Sequence, residues 1–360
     1  MNKIMYMLNY TGDGGTEKYV LNLLSALGKD RCVFVYSEKG PFLEKFKELG
    51  VPTYQVTMNG PFDLKAARQI KKICQNEGVR YIHAQFLREN YIALLSKILG
   101  AKVNVVWTYH VNVPMSFVNI MLNRIMTRLN HRIIAVAGFI KKELIQKGVS
   151  EEKITVIYNG IKNPEIDFSQ KVKLDEKNIS VIGRLSPEKG HHFLFKSLAK
   201  LNKDYPQLNW KLNVVGDGSL KQELMELARK LDLQSRVNFK GFVHRMDIEY
   251  INSDIIVLPS ENEAFPFVAI EALAFEKPVI STNVGGLPEV IKHNETGLSV
   301  TYGDVNTLSE NIRMLLEDES LALKLAQSGK NFFLNHLTFD KMLKHTIAIY
   351  NLHPEELKNN

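Results

Sequence analysis

The sequence predicts an α/β protein made of two successive doubly wound halves, each a parallel sheet covered by helices. Short apolar runs rich in β-branched residues alternate with longer amphipathic segments along most of the 360 residues, as in repeated strand–helix–strand units. A polar stretch containing proline interrupts this alternation near the middle of the chain. The length also exceeds that of one ordinary hydrophobic core. We therefore expect two Rossmann-like α/β/α domains that face each other across a ligand-binding cleft.

The first half carries seven predicted strands, at "KIMYML", "RCVFVYS", "TYQVT", "YIHAQ", "VNVVWTYH", "RIIAVA" and "ITVIYNG". Helical segments such as "TEKYVLNLLSALG" and "DLKAARQIKKICQNEG" lie between them. These elements define a first domain over residues 1–165.

The second half restarts the same alternation after a predicted linker at residues 166–178. Its strands are predicted at "NISVIGRL", "WKLNVVG", "RVNFKGF", "IIVLPS", "PVISTNV" and "GLSV". They define a second domain over residues 179–335. A polar helical tail follows over 336–360, for which a return to the first domain is one option.

The composition is that of an ordinary globular protein, with 45% hydrophobic and 24% charged residues. No apolar stretch approaches the roughly 18 residues of a membrane span, and the start reads as a buried strand, not a signal peptide. Cys32 and Cys74 fit no metal-binding spacing, so reduced thiols in the cytoplasm are the expectation.

The positive charge is concentrated in the first half. Residues 1–165 hold 23 Lys and Arg against 13 Asp and Glu, whereas residues 166–360 hold 23 against 26. A basic surface of this kind suits an anionic bilayer, nucleic acid or a phosphorylated ligand, and a merely solvated basic face is an equal alternative. No helix-turn-helix, RNP-like or zinc-finger pattern is present, so we expect no nucleic-acid partner.

The first candidate site is the glycine cluster in "NYTGDGGTEKYV", which lies between a predicted strand and a helix. Glycines let backbone N–H groups approach an anion, and a helix N-terminus favours negative charge. The string is neither a P-loop nor the dinucleotide fingerprint, and a tight strand–helix turn explains it equally well. Gly14, Gly15 and Thr16 are the candidate ligand-binding residues.

The second candidate site is the loop "VIGRLSPEKGHHF", where Gly183 and Arg184 follow a strand and Lys189 comes five residues later. Arg can donate two parallel hydrogen bonds to phosphate oxygens, and Lys supplies a compact positive charge. The two cations therefore suit a diphosphate. An ordinary charged surface loop is the alternative. Gly216 in "VVGDGS" ends the next strand in the same way.

Two glutamates lie eight residues apart in "LPSENEAFPFVAIEALAF". Pro266 suits a helix start, which places Glu263 in a loop and Glu271 in a helix. Eight helical residues rise ~12 Å, whereas the paired carboxylates of glycosidases lie ~5–9.5 Å apart. This spacing favours two ends of one hydroxylated ligand over an acid and base pair. If Glu271 is merely structural, its apolar neighbours require that it has a polar partner.

The segment "PSENEAFPFVAIEALAFEKPVISTNVGGLPEVIKHNETGL" resembles the E-x7-E signature of retaining glycosyltransferases of family 4, which have the GT-B fold. "GRLSPEKG", "VVGDGS", "KITVIYNGI" and "GGTEKYVLNL" stand in the order of that family. The resemblance spans nearly the whole chain and is strongest from 181 to 300. It implies the GT-B fold and sugar transfer from a nucleotide diphosphate sugar.

The resemblance also implies roles for individual residues. Glu271 would bind the ribose hydroxyls and Glu263 the donor sugar. Arg184 and Lys189 would neutralise the leaving diphosphate, and His110 in "VWTYHVN" would lie beside the donor sugar and the acceptor. The remaining residues implied in substrate binding are Gly14, Gly15, Thr16, Gly183, Gly216, Phe265, Pro266, Phe267 and Val268.

Three positions depart from the family pattern, with Val111 in place of an acid, Ala137 in place of serine and Lys162 in place of aspartate. These departures concern the acceptor side more than donor binding.

The resemblance implies transfer of a hexose-type sugar, with UDP as the expected nucleotide, to a hydroxyl of a glycan or lipid-linked acceptor with retention of configuration. No D-x-D motif is present, so no metal or other cofactor is expected. We expect a role in cell-envelope or extracellular polysaccharide synthesis, in the cytoplasm or at the inner face of the membrane. A nucleotide-sugar 2-epimerase and a non-catalytic nucleotide-binding protein are the alternatives.

The segment "PMSFVNIMLNRIMTRLNHR" has apolar residues at helical spacing, with Arg124 and Arg128 among them. We favour a helix packed on the core. The alternative is an interfacial helix that docks on anionic lipid.

Overall fold

The computed structural model describes residues 3–110, 114–172 and 175–353, apart from the side chain of residue 168. These residues form two compact units, the first containing the chain up to 159 and again from 340 onward, and the second containing 160–339. The sequence-based boundaries lie at 165 and 335.

The first unit contains seven strands, at β1 (Lys3–Tyr10), β2 (Cys32–Glu38), β3 (Thr53–Gln55), β4 (Val79–Ala84), β5 (Asn104–Tyr109), β6 (Arg132–Ala135) and β7 (Ile154–Val156). They form one parallel sheet in the order β3-β2-β1-β4-β5-β6-β7. Each coincides with a predicted strand. The winding reverses between β1 and β4, which makes their carboxyl ends the topological switch point, the usual place for a ligand.

Helices cover this sheet, at α1 (Gly15–Leu27), α2 (Leu43–Glu48), α3 (Leu64–Glu77), α4 (Leu87–Ile98), α5 (Phe117–Met126) and α6 (Gly138–Gln146). Helix α3 shows how the sequence sets their limits. The Asp63 side chain accepts a hydrogen bond from the Ala66 N–H, which caps the N-terminus, and Gly78 ends the helix at a φ of 69°. Ile70 and Cys74, four residues apart, lie on its buried face.

Strand β1 illustrates the core, because five successive residues, 4–8, have no exposed surface. Such continuous burial is expected for a parallel sheet covered on both faces. Burying a large apolar side chain contributes about 1.5–3 kcal/mol, so these runs dominate the stability of the unit. Both cysteines are free and buried, and burial raises the pKa of each thiol to about 12.

The second unit contains β8 (Lys177–Ile182), β9 (Trp210–Val215), β10 (Val237–Gly241), β11 (Ile255–Leu258), β12 (Val279–Thr282) and β13 (Leu298–Val300). Its parallel sheet has the order β10-β9-β8-β11-β12-β13, and its switch point lies between β8 and β11. All six strands match predicted ones, which confirms the α/β class with two parallel sheets. The helices that follow α6 in the chain are α7 (His191–Asp204), α8 (Lys221–Lys230), α9 (Met246–Asn252), α10 (Phe267–Ala274), α11 (Leu287–Val290), α12 (Val305–Glu317), α13 (Glu319–His336) and α14 (Phe339–Ile349).

The predicted linker packs on the second unit. The Val172 N–H donates to Asn252 Oδ1 at 2.7 Å, and Lys171 Nζ lies 3.3 Å from Asp254 Oδ1. The chain instead leaves the first unit after residue 159 and returns after residue 339. These two crossings run side by side, since the Phe339 N–H donates to the Ile161 carbonyl at 2.8 Å.

The returning segment completes the core of the first unit. The Tyr350 hydroxyl lies 2.5 Å from His83 Nδ1 and 3.0 Å from the Tyr6 hydroxyl, and all three side chains are fully buried. The other ring nitrogen, His83 Nε2, lies 2.6 Å from Thr108 Oγ1. Burial lowers the pKa of His83 to about 3, so the ring is neutral and bridges two hydroxyls.

The core-packed interpretation of α5 is wrong. Phe117, Val118 and Ile125 are 76%, 65% and 62% exposed, and Asn123 is the buried residue of this helix. A polar contact anchors the helix, because Asn123 Nδ2 donates to the Lys147 carbonyl at 2.8 Å. No helix within the described residues is long and apolar enough to cross a membrane.

Candidate functional site

Two glycines shape the loop that leaves β8. Gly183 has a φ of 153° and Gly216, at the end of neighbouring β9, has a φ of 138°. A side-chain Cβ on Gly216 would lie 1.9 Å from the Gly183 carbonyl oxygen. Both positions therefore require glycine, and the loop turns at the edge of the sheet to present Arg184, which is exposed.

A short 3₁₀ turn at Pro187–Lys189 brings Lys189 back toward the strand ends. Gly190 ends this turn at a φ of 68°, and a Cβ there would lie 1.9 Å from the Pro259 carbonyl oxygen. The loop after β8 thus packs directly on the loop after β11, at the switch point of the second sheet.

Lys189 and Glu263 meet at this point. Lys189 Nζ lies 2.5 Å from Glu263 Oε1, and the same oxygen accepts a hydrogen bond from Ser260 Oγ at 2.9 Å. Thr282 Oγ1 donates to the Ser260 carbonyl at 2.6 Å, which ties the loop to β12. The pair is mostly buried, with 25% and 12% of the two side chains exposed, so each charge compensates the other.

The main chain of Glu263 is held by a second glycine turn. Gly285 has a φ of 56°, and a Cβ there would lie 1.7 Å from the Glu263 carbonyl oxygen. The Gly286 N–H donates to the same oxygen at 3.2 Å. Sequence reasoning did not single out these glycines, although "VGG" lies within the segment that carries the family resemblance.

Helix α10 begins beside this pair, with Pro266 as its N-cap. Phe265 is buried, whereas Pro266, Phe267 and Val268 are half-buried. Pro266 and Val268 line a small cavity together with Lys189 and Glu263. The structure therefore brings most of the predicted residues of the second half to one edge of the sheet.

Glu271 lies within α10, as the sequence predicts, and Glu263 lies in the preceding loop. Glu271 Oε2 accepts a hydrogen bond from the Tyr250 hydroxyl at 2.6 Å. The Tyr250 ring stacks on Phe275 with centroids 5.0 Å apart. Burial, and then the Glu271 carboxylate, raises the pKa of Tyr250 well above its usual value. Glu271 is half-buried, and Tyr250 is a polar partner of the kind that its apolar neighbours require.

His191 is a further residue of the small cavity. It begins α7, is 1% exposed, and neither ring nitrogen has a hydrogen-bond partner among the described residues. Burial, with smaller contributions from His192 and Lys189, lowers its pKa to about 4, so the ring is neutral at physiological pH.

In the first unit, Gly14 is the N-cap of α1, and Gly15 and Thr16 form its first turn. Glu17 folds back over this turn, because a Cβ on Gly14 would lie 2.8 Å from Glu17 Oε2. Burial raises the pKa of Glu17, while the backbone N–H groups of residues 17, 14 and 12 oppose the rise. The backbone amides predicted to approach an anion thus already face a carboxylate of the same chain.

His110 lies at a second cavity, of about 570 Å³, at the carboxyl ends of β1, β4 and β5. His110 Nε2 lies 2.9 Å from Gln85 Oε1, and the Tyr19 ring meets the histidine edge-on at 5.0 Å. Burial lowers the pKa of His110 to about 3, so it is a neutral hydrogen-bonding group. This cavity occupies the switch point of the first sheet.

Glu89 lies against the same cavity and was missed by sequence reasoning. It sits in the first turn of α4 with no exposed surface, and neither carboxyl oxygen makes a well-formed hydrogen bond among the described residues. Burial raises its pKa to about 7, opposed by the backbone amides of residues 89 and 9 and by Arg88.

This raised pKa predicts a pH-dependent gain in stability for Glu89→Gln. An unfolded glutamate ionises near pH 4.5, whereas Glu89 in the folded chain stays protonated until about pH 7, so wild-type stability falls between these values. Glu89→Gln should exceed the wild type by up to about 3 kcal/mol at pH 8 and match it near pH 4. Urea denaturation across this range measures the difference.

The exposed Glu48, changed to Gln, is the matched control and should change the free energy of unfolding by less than about 0.5 kcal/mol. A constant difference between Glu89→Gln and the wild type, or a loss of stability at pH 8, would contradict the prediction. The charged and titratable residues around the same cavity that would modulate the result are Arg88, Glu17, His110, Tyr10 and Tyr109.

The departures from the family pattern fall at different places. Ala137 is the buried N-cap of α6, and Lys162 is exposed in the second unit. Val111 lies outside the described residues. Within the described residues, no group of three or more His, Cys, Asp or Glu side chains is arranged to hold a metal ion.

Known proteins match both halves of the chain. Residues 13–163 match Glycosyltransferase Family 4, and residues 162–332 match Glycosyl transferases group 1. An uncharacterized glycosyltransferase of Methanocaldococcus jannaschii is 30% identical over 236 residues, which are 61% of this chain and 60% of that relative.

A Campylobacter jejuni relative is 28% identical over 344 residues, 89% of this chain and 92% of its own, and is named N-acetylgalactosamine-N,N'-diacetylbacillosaminyl-diphospho-undecaprenol 4-alpha-N-acetylgalactosaminyltransferase. The crystal structure of Anabaena Alr3699/HepE in complex with UDP has the same fold, with a TM-score of 0.85 at 20% identity over 97% of this chain and 99% of that one. Matches in both halves, together with two parallel-sheet α/β units, show that the chain belongs to the glycosyltransferases of the family 4 type, with the GT-B fold.

Proposed function

We propose that this glycosyltransferase moves a hexose-type sugar from a UDP-sugar to a hydroxyl of a glycan or lipid-linked acceptor, with retention of configuration and without a metal. The observation that carries the proposal is the contact between Lys189 and Glu263 at the switch point of the second sheet. It places a cation and a carboxylate on facing loops, one suited to phosphate and the other to sugar hydroxyls. The UDP complex of the Anabaena structure supports the choice of nucleotide.

In the proposed reaction the bond between the sugar C1 and the distal phosphate oxygen breaks, and the acceptor oxygen bonds to C1 on the same face. The acceptor proton passes to the leaving phosphate, so no protein base is required. Lys189 and Arg184 stabilise the negative charge that develops on the diphosphate. When the donor binds, Lys189 exchanges Glu263 for phosphate, which frees the carboxylate to accept hydrogen bonds from the donor sugar. In this scheme Glu271 accepts a hydrogen bond from the ribose.

A lipid-linked acceptor is favoured by the surface around α5. Residues 90–142 contain seven Lys and Arg and no Asp or Glu. Exposed Phe117, Val118 and Ile125 share the helix with exposed Arg124. Apolar residues beside cations are typical of helices that lie on anionic lipid. The diphospho-undecaprenol substrate in the name of the Campylobacter relative is consistent with this choice.

The membrane proposal predicts salt-sensitive binding to vesicles that contain phosphatidylglycerol, and none to pure phosphatidylcholine. Phe117→Ser/Ile125→Ser should weaken that binding about tenfold or more, because two exposed apolar anchors are lost. Vesicle sedimentation measures it. Leu323→Ser in the second unit, where the side chain is 56% exposed, is the control. Binding that is absent, or insensitive to salt, counts against the proposal.

The catalytic proposal is tested by incubating the protein with a panel of nucleotide sugars and following hydrolysis and transfer by mass spectrometry. We expect slow release of UDP without acceptor and transfer with it, in the presence of EDTA. Conversion of the donor into an isomeric nucleotide sugar would favour the 2-epimerase instead. A protein that binds UDP but neither hydrolyses nor transfers any sugar would be a non-catalytic nucleotide-binding protein.

A further inference from the structure

The cavity of the first unit carries an unsatisfied hydrogen-bond requirement. Glu89 is fully buried beside it, and its two carboxyl oxygens lack well-formed hydrogen bonds among the described residues. A buried acceptor without a donor costs about 1–3 kcal/mol, and such groups in folded proteins normally have a partner. The cavity of about 570 Å³ is large enough for a sugar ring. A ligand that brings hydroxyl donors would remove this cost.

The walls of the cavity indicate what kind of ligand fits. Tyr10, Phe86 and Tyr109 supply aromatic surface, while Asn9 and Gln85 supply amides. Aromatic faces cover the C–H faces of a sugar ring, and amides pair with its hydroxyls.

The charges around the cavity argue against an anionic ligand. The glutamates at positions 17 and 89 both lie there. The cation beside them is Arg88, whose Nη1 already donates to Asn9 Oδ1 at 2.8 Å and to the Met58 carbonyl at 3.1 Å. His110 is neutral and bonded to Gln85. A carboxylate on the ligand would therefore lie close to the Glu17 and Glu89 carboxyl groups and would disfavour the ionised form of each.

We infer that Glu89 is a specificity-determining residue for the acceptor, and that the cavity receives a neutral hexose or N-acetylhexosamine whose hydroxyls donate to the Glu89 carboxyl, while an acidic sugar is excluded. This inference rests on the proposed sugar transfer and adds the chemical class of the acceptor. Glu89 lies beneath the cavity surface, so contact requires a small movement of α4 or one bridging water.

The experiment compares octyl glucoside, octyl N-acetylglucosaminide and octyl glucuronide as acceptors, with the nucleotide sugar that the wild type hydrolyses fastest. The wild type should transfer to at least one neutral glycoside and at least tenfold less to the glucuronide. Glu89→Gln should raise the KM for the neutral acceptor about tenfold, and Glu89→Ala should raise it further. Glu48→Gln, an exposed control, should behave as the wild type.

Donor hydrolysis without acceptor distinguishes a failure of the Glu89 inference from a failure of the proposed sugar transfer. Glu48→Gln, the exposed control, should release UDP at the wild-type rate. An unchanged acceptor KM in both Glu89 variants, or a preference of the wild type for the glucuronide, would overturn the inference while leaving sugar transfer intact. Absence of both hydrolysis and transfer in the wild type would overturn the proposed function, and the inference with it.

Discussion

Lys189→Ala is expected to lower kcat/KM for sugar transfer by at least about 100-fold. Removing one preorganised donor to a developing oxyanion typically costs a factor of 10²–10³, and Lys189 is the cation held at the switch point of the second sheet. The loss should appear mainly in kcat, since the charge on the diphosphate develops in the transition state. Steady-state transfer assays measure it. Lys189→Arg keeps the charge and should recover part of the rate.

Lys200→Ala is the matched control for this variant. Lys200 also pairs with a carboxylate, Asp204 at 2.7 Å, but on the exposed face of α7. It should change kcat/KM less than twofold, because exposed pairs contribute little. If Lys189→Ala lost stability but kept the wild-type rate, Lys189 would serve only to hold the Glu263 loop.

Gly285→Ala is expected to destabilise the second unit by about 3 kcal/mol or more and to lower transfer more than tenfold. A Cβ at this position would overlap the Glu263 carbonyl oxygen, and the φ of 56° adds the strain of a left-handed residue. Relief requires the loop that carries Glu263 to move. Urea denaturation followed by tryptophan fluorescence in a Trp107→Phe background reports on the second unit through Trp210, which is buried there.

Gly303→Ala is the control that distinguishes backbone strain from steric overlap of the added Cβ. Gly303 has a φ of 89°, yet a Cβ there would meet no atom within 4 Å. This variant should lower the free energy of unfolding by about 1–2 kcal/mol and leave the rate of sugar transfer near that of the wild type. Equal losses in the two variants would show that the close approach to Glu263 has no consequence of its own.

The fold could be predicted from the sequence because both sheets are parallel and covered on both faces. Their strands are therefore continuous apolar runs, such as residues 4–8, which stand out from the amphipathic helices between them. Glycine turns at strand ends, such as Gly183, mark the edge of the sheet where ligands bind. The positions of Lys189 and Glu263 at that edge follow from the same pattern.

The rest depends on contacts between residues distant in sequence. The pairing of Lys189 with Glu263 joins residues 74 apart, and no local pattern encodes it. In the sequence, Glu89 has the character of a surface residue of a helix. Its burial depends on the packing of β1 and β5 around α4, which the local sequence does not indicate. The spacing of α5 does not distinguish a buried apolar face from an exposed one, and for Phe117 the sequence-based choice was wrong.

The return of the chain to the first unit has a consequence for synthesis on the ribosome. His83 and Tyr6 leave the ribosome early, but their partner Tyr350 is made only after the whole of the second unit. The interior of the first unit therefore stays incomplete until the chain beyond the second unit has been synthesised. This differs from the usual order, in which the N-terminal domain folds first. A nascent chain of this protein would depend on chaperones at its beginning more than at its end.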